Sequence, residues 1–257
     1  MDPSLREPLR ELLLSVADDK FLLGHRNADW TGLGPILEED IAFSSIAQDE
    51  IGHAEALYQL IHAELGGATA NELAYARAPA EYRCAALIEQ PDEFDWARAI
   101  VRQFFCDHFD VLRLQRLAMS NWKPLAALAS RMLAEERVHV QHADTWIQRL
   151  GRGTSDSHQR MQNGINLLWK AVAALFEHTG GKDALERAGL YPPLQRPTAA
   201  LWHEAVRQQA AAGGLAIPAA IPDLESPDGR HGVHTPDFAE LLAELTEVYR
   251  VEPGAAW

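Results

Sequence analysis

Residues 43–60 read FSSIAQDEIGHAEALYQL, and this stretch decides the fold. Its apolar positions, Phe43 and Leu57 among them, recur every three or four residues, which is the spacing of one face of an α-helix. Glu50 and His53 fall on that same face three residues apart, so both side chains point toward the interior that the apolar residues define. The stretch therefore predicts a long helix whose buried face carries a carboxylate and an imidazole.

The same Glu-x-x-His pattern occurs a second time, at residues 136–139 (ERVH). Glu136 and His139 also interrupt an apolar helical stripe, in this case between Met132 and Ala143. A buried carboxylate is costly unless it is ion-paired or bound to a metal. Two such patterns, with one carboxylate from each of two further helices, form the ligand set of dinuclear metal sites in four-helix bundles. We therefore expect a metal site; a vestigial site whose residues hydrogen-bond one another is the alternative.

The two further carboxylates are chosen by the helical face on which they lie. Asp19 continues the apolar stripe of its predicted helix, whereas Asp18 falls on a more polar face. Asp107 likewise sits on an apolar stripe, whereas Asp110 lines up with Arg113. The predicted metal ligands are Asp19, Glu50, His53, Asp107, Glu136 and His139. Four carboxylates and two imidazoles suit two divalent cations, iron first and manganese second, rather than zinc or copper.

Helical periodicity continues through most of the chain, and no segment alternates with the period of a strand. Four long helices are predicted at about 5–25, 36–65, 94–119 and 125–150, and three weaker ones at about 157–178, 197–212 and 236–249. Short links within each pair of long helices and a longer link between the pairs predict two antiparallel hairpins joined by a crossover. We expect one all-α domain over residues 1–257: a ferritin-like four-helix bundle in 1–153 and a helical extension in 154–257.

Composition excludes several classes of function. The formal net charge of −14 disfavours binding to nucleic acid, whose phosphates would be repelled. No apolar run approaches the roughly 20 residues that span a bilayer, and the N-terminus lacks the pattern of a signal peptide. The two cysteines support neither a disulfide framework nor a thiolate zinc site. We expect a cytoplasmic protein that binds neither nucleic acid nor membrane.

Several short passages outside the two motifs resemble a known family. They are residues 26–30 (RNADW), 89–91 (EQP), 102–105 (RQFF), 146–151 (WIQRLG), 161–169 (MQNGINLLW), 232–235 (GVHT) and 253–257 (PGAAW). With the predicted bundle and the paired motifs, they make the chain similar to the PaaC branch of the phenylacetyl-CoA monooxygenase (ring 1,2-epoxidase) family. The passages after residue 153 are particular to this branch rather than common to di-iron bundles.

The resemblance implies a subunit of a multicomponent oxygenase of aerobic phenylacetate catabolism. In that family a di-iron catalytic subunit, PaaA, pairs with PaaC, and a separate reductase supplies electrons. The resemblance thus implies a PaaA-like partner, a homodimer or heterotetramer, and an indirect link to the reductase. PaaC-like chains mostly support catalysis elsewhere, yet both Glu-x-x-His motifs are intact in this sequence, so we expect an accessory subunit that retains a dinuclear site.

Two other functions remain open. For neither of them does the sequence predict a catalytic residue. One is a stand-alone di-iron carboxylate oxygenase or oxidase that uses the same six ligands. The other is a ferritin-like iron-handling or peroxide-scavenging protein, which the long middle link and the extra C-terminal helices fit poorly.

Overall fold

The computed structural model describes residues 2–224 and 227–253. The four long helices are α1 (Arg6–Ala28), α2 (Leu37–Leu60), α5 (Trp96–Ala118) and α6 (Lys123–Gly151). Short helices α3 (Ala70–Tyr75) and α4 (Ala86–Glu89) lie in the link between α2 and α5. The C-terminal helices are α7 (Ser155–Leu168), α8 (Lys182–Arg187), α9 (Thr198–Ala212), α10 (Pro236–Leu245) and α11 (Glu247–Val251). No strand occurs in this part of the chain, so the predicted all-α bundle is confirmed.

The long helices pack as two hairpins, α1 against α2 and α5 against α6, and α2 also contacts α6. Helix α2 passes into a π-helical turn, Ile61–Leu65, before Gly66 ends it with a positive φ. Helix α6 begins earlier than predicted because Pro124 lies in its first turn, where a missing amide proton costs no helical hydrogen bond. The hairpin arrangement brings the two Glu-x-x-His motifs to facing helices.

The C-terminal segment packs on the α5–α6 side of the bundle, with α7 and α9 both contacting α5 and α6. Trp202 of α9 is fully buried, and its indole N–H donates to the carbonyl of Phe105. The predicted helix at 157–178 is two elements, since α7 ends at Leu168 and a 3₁₀ helix, Trp169–Phe176, follows. Residues 254–257 of the resembling passage at 253–257 lie outside the described residues.

Helix α1 is surrounded on every side over more than half of its length. Residues 12 to 24 are all buried, including the consecutive ionisable residues Asp18, Asp19 and Lys20. The expectation that Asp18 faces a wetter side is therefore wrong. Its carboxylate is enclosed and accepts hydrogen bonds from the Tyr58 hydroxyl and the Arg77 guanidinium, because the α2–α5 link covers this side of the helix.

No helix among the described residues combines the length and apolar character needed to cross a membrane.

Candidate metal centre

A lysine ammonium lies between the two Glu-x-x-His motifs. The Nζ atom of Lys20, on α1, is 2.8 Å from a carboxylate oxygen of Glu50 and 2.7 Å from one of Asp110. It also donates a short hydrogen bond to Glu136. Lys20 and Glu50 are 0% exposed, as is Glu136. One positive charge thus stands among three carboxylates from α2, α5 and α6.

Four of the six predicted ligands come together around this lysine. Glu50, Asp107, Glu136 and His139 each offer a ligand atom, and these atoms all lie within 4.8 Å of one another. The Nδ1 atom of His139 is 3.4 Å from Glu50 and 3.7 Å from Glu136. Asp107 accepts a hydrogen bond from the Gln103 amide, which in turn accepts one from Asn27 at 2.6 Å. The structure therefore contains a buried carboxylate–imidazole cluster.

His53 lies beside this cluster but bonds elsewhere. Its Nε2 atom is 2.5 Å from a carboxylate oxygen of Glu135, and its ring centre is 6.3 Å from that of His139. His139 makes the matching contact, with its Nε2 atom 3.2 Å from Asp49. Glu135 and Asp49 are both more than two-fifths exposed. Each imidazole therefore contacts a partly exposed carboxylate through its Nε2 atom.

Asp19 is in a different ionic cluster. Its carboxylate accepts hydrogen bonds from Arg113 at 2.6 Å and from both terminal nitrogens of Arg230 at 2.8 Å. The backbone amide of Ala85 donates to it at 2.9 Å. Successive residues on a helix point about 100° apart, so Asp19 faces the α4 side and the C-terminal loop while Lys20 faces the motifs. The structure does not bring Asp19 together with the other five predicted ligands.

The charges in the buried cluster compensate one another. Burial by itself raises the pKa of Glu50, but the charge of Lys20 together with those of His139 and His53 outweighs it and lowers that pKa to about 2. Burial opposes a charge on His139, yet the carboxylates of Glu136 and Glu50 nearby raise its pKa to about 11. Burial, followed by the negative charge of Glu136, raises the pKa of Asp107 well above its usual value. Two cations, Lys20 and His139, thus offset the carboxylates of the motifs.

These residues fit two metal ions poorly. A dinuclear centre needs its carboxylates and imidazoles to converge on two cations, whereas Glu50 and Glu136 converge on an ammonium. Of the remaining predicted ligands, Asp19 is bound by two arginines, whereas His53 contacts Glu135 through Nε2 and its buried Nδ1 atom has no hydrogen-bond partner in the described part of the chain.

Sequence reasoning missed Lys20 and set aside Asp110, although α1 carried a signal for the lysine. The neighbours of Lys20 three and four positions away are Val16, Ala17, Leu23 and Gly24. A lysine flanked on its own face by apolar and small residues is buried there, and a buried ammonium needs carboxylate partners. The signal for Asp110 was weaker, because its alignment with Arg113 also describes an ordinary surface pair.

The fold and the buried cluster define the class: an all-α protein of the ferritin-like kind, with carboxylates and imidazoles turned into its bundle. A family model described as phenylacetic acid catabolic protein matches residues 1–257, so the chain belongs to that family. The chain is similar to the C subunit of 1,2-phenylacetyl-CoA epoxidase from Escherichia coli (strain K12). The two are 32% identical over 244 residues, which covers 95% of this chain and 97% of the relative. The resemblance drawn from the sequence is confirmed.

Proposed function

We propose that this chain is an accessory subunit of a phenylacetyl-CoA epoxidase, in which the ammonium of Lys20 takes the place of the metal ions. The observation that carries the proposal is the position of Nζ, within hydrogen-bond distance of Glu50, Asp110 and Glu136. A buried cation with three carboxylate partners holds α1, α2, α5 and α6 together, as a metal would. The chain then keeps the shape of a metal-binding bundle without the metal.

The partner in this proposal is a PaaA-like catalytic subunit that contains the di-iron site. The relative from Escherichia coli is named as one subunit of an epoxidase, and near-complete coverage of both chains supports an equivalent place for this one. The reductase then interacts with the assembled complex rather than with this chain alone. A homodimer or a heterotetramer, and a cytoplasmic location, belong to the same proposal.

The second candidate is a stand-alone di-iron oxygenase, which the grouping of Glu50, Asp107, Glu136 and His139 favours. It requires Lys20 to leave the cluster and two irons, or two manganese ions, to replace it. Both candidates predict a stable bundle, and they differ in metal content.

Metal analysis of the full-length chain, produced with iron supplementation, separates the two candidates. We expect fewer than about 0.1 iron or manganese per chain in the unmodified protein, because bound metal would have to displace a buried ion pair. Lys20→Ala removes the ammonium, so we expect metal content to rise several-fold in that variant. Lys170→Ala, at an exposed lysine, is the matched control and should leave metal content unchanged.

The unmodified chain alone decides the question even if Lys20→Ala fails to fold. About two irons per chain, lost on Glu136→Ala, would overturn the proposal in favour of the oxygenase.

A further inference from the structure

A second cluster of metal-ligating side chains lies on the other side of α1 from the motifs, where the α2–α5 link meets the C-terminal loop. It consists of Cys84, Glu89 and His234. Cys84 and Glu89 are 0% exposed, and the side chain of His234 is 7% exposed. Neither the two Glu-x-x-His motifs nor the proposed accessory function uses these three residues. We propose that they bind a zinc-class divalent cation.

The distances among the three ligand atoms are close to those of a zinc site. The Cys84 sulfur is 3.3 Å from Oε1 of Glu89 and 3.7 Å from Nδ1 of His234. A tetrahedral zinc, with bonds of about 2.3 Å to sulfur and about 2.0 Å to nitrogen or oxygen, places sulfur roughly 3.5 Å from the other two ligands. The Glu89–His234 distance, 2.7 Å, must open by about 0.6 Å to reach the tetrahedral value. A cation therefore fits with a sub-ångström adjustment of one pair.

The charge on Glu89 is the second argument for a cation. Its carboxylate is fully buried, and among the described residues His234 is the only basic side chain within 4 Å of it. Buried carboxylates are normally paired with a cation or bound to a metal. A thiolate, a carboxylate and a neutral imidazole together neutralise a divalent cation. Binding releases the thiol proton of Cys84 to solvent, since a coordinating thiol is deprotonated.

Two glycines of the C-terminal loop allow its backbone to approach the α2–α5 link closely. A Cβ on Gly229 would lie 2.1 Å from the carbonyl oxygen of Cys84, so only glycine permits the approach. Gly232 has a φ of +79°, and a Cβ there would lie 2.1 Å from the carbonyl oxygen of Ala80. The amide of Thr235 donates to the second oxygen of Glu89 at 2.7 Å. A hydrogen bond of that kind orients a ligating carboxylate.

The ligand types select the metal. Thiolate and imidazole favour zinc over magnesium, calcium or manganese. Three protein ligands leave one coordination position for water. Because Cys84 lies just before α4 and Glu89 is its last residue, while His234 immediately precedes the Thr235 cap of α10, the cation would fasten the C-terminal segment to the bundle. The two cysteines by themselves did not support a thiolate zinc site, whereas the site proposed here needs only one sulfur ligand.

The test uses the full-length chain, loaded with zinc for elemental analysis and with Co²⁺ for absorption spectroscopy. We expect about one zinc per chain, and a thiolate-to-cobalt charge-transfer band in the near ultraviolet. Metal bound at the Lys20 cluster has no sulfur ligand and gives no such band. The band therefore reports metal binding at the Cys84 cluster alone. Cys84→Ser should abolish the band, and His234→Gln should weaken metal affinity by at least about tenfold.

Cys106→Ser is the matched control, because Cys106 is the other buried cysteine and has no place in the cluster. It should keep both the zinc and the band. Absence of the band from the unmodified protein, with less than about 0.1 zinc per chain, would overturn the proposal whatever the variants do. Equal loss of metal in Cys106→Ser would overturn it as well.

Discussion

Lys20 and Asp19 are neighbours in the chain, yet each completes a different buried ionic cluster. Lys20 forms ion pairs with the carboxylates of the two motifs, and Asp19 forms ion pairs with Arg113 and Arg230. Arg113 joins the two clusters, since its other terminal nitrogen is 2.5 Å from Asp110. Removing one member of a buried pair leaves its partner uncompensated, at a cost of about 3–5 kcal/mol. These residues therefore constrain each other more tightly than surface ion pairs do.

Acid should expose the contribution of Glu50 to stability. Its pKa is about 2 in the folded chain against an ordinary value of 4.5, so its contribution is present above about pH 4.5 and is lost as the pH falls toward 2. The shift corresponds to about 3 kcal/mol at most. Urea unfolding of the unmodified chain and of Glu50→Gln should give free energies of unfolding that differ most above pH 4.5 and converge below it.

Glu55→Gln, at an exposed position of the same helix, is the control for that titration. Its unfolding free energy should follow the unmodified chain across the whole range. If the Glu50→Gln curve ran parallel to the unmodified one from about pH 6 to about pH 2.5, the ion pair with Lys20 would contribute nothing.

At the scale of single residues, the sequence predicted that both Glu-x-x-His motifs face the interior of the bundle. It did not predict the Lys20 ammonium that lies between them. Stripe analysis placed Glu50, His53, Glu136 and His139 on inward faces because both helices have one buried and one exposed face. It was wrong for Asp18, because residues 12 to 24 of α1 are buried all round, so no stripe distinguishes a polar side. The packing of α1 decides which of its three consecutive ionisable residues faces the motifs. The rotation of this helix about its own axis cannot be inferred from the sequence pattern.

At the scale of helices, two mid-helix glycines offer a matched pair. A Cβ on Gly52 of α2 would have no atom within 4 Å, whereas one on Gly24 of α1 would lie 2.8 Å from Ile51 and 3.0 Å from the carbonyl oxygen of Ala47. We expect Gly52→Ala to stabilise the isolated chain by up to about 1 kcal/mol, the helix propensity of alanine over glycine. Gly24→Ala should destabilise it, because α1 and α2 must separate.

Thermal or urea unfolding of both variants measures the difference, with the sign as the decisive quantity. Stabilisation by Gly24→Ala would contradict the close packing of α1 on α2. A Cβ on Gly52, the glycine of the first motif, would meet no atom of the described residues within 4 Å. This glycine is therefore not required for the close packing of another helix of this chain.

The long helices could be predicted closely, and the short ones could not. Strong periodicity and breaker residues located α1, α2, α5 and α6 to within a few residues. Helices α3, α4, α8 and α11 have four to six residues, too few to establish a period. The change from α-helix to 3₁₀ helix at Trp169 also escaped notice, since apolar residues three and four apart suit both.

At the scale of the whole molecule, the proposed function predicts a complex. A tagged form of this chain, co-expressed with a PaaA-like catalytic subunit, should retain that subunit through size-exclusion chromatography, and the complex should epoxidise phenylacetyl-CoA when the reductase is supplied. Lys170→Ala, at an exposed lysine, is again the control variant, and it should form the same complex with the same activity. A chain that stays monomeric beside the catalytic subunit would contradict the proposal, even if its own metal content were nil.

The pairing of Asp19 with Arg230 spans 211 residues of sequence, and this has a consequence for synthesis in the cell. At about 5–20 residues per second, the ribosome adds Arg230 roughly 4–15 seconds after the end of α6. During that interval the four long helices have all been made, yet Asp19 has only Arg113 to balance it. A nascent chain at this stage holds an incomplete ionic interior, because Asp19 lacks the guanidinium of Arg230.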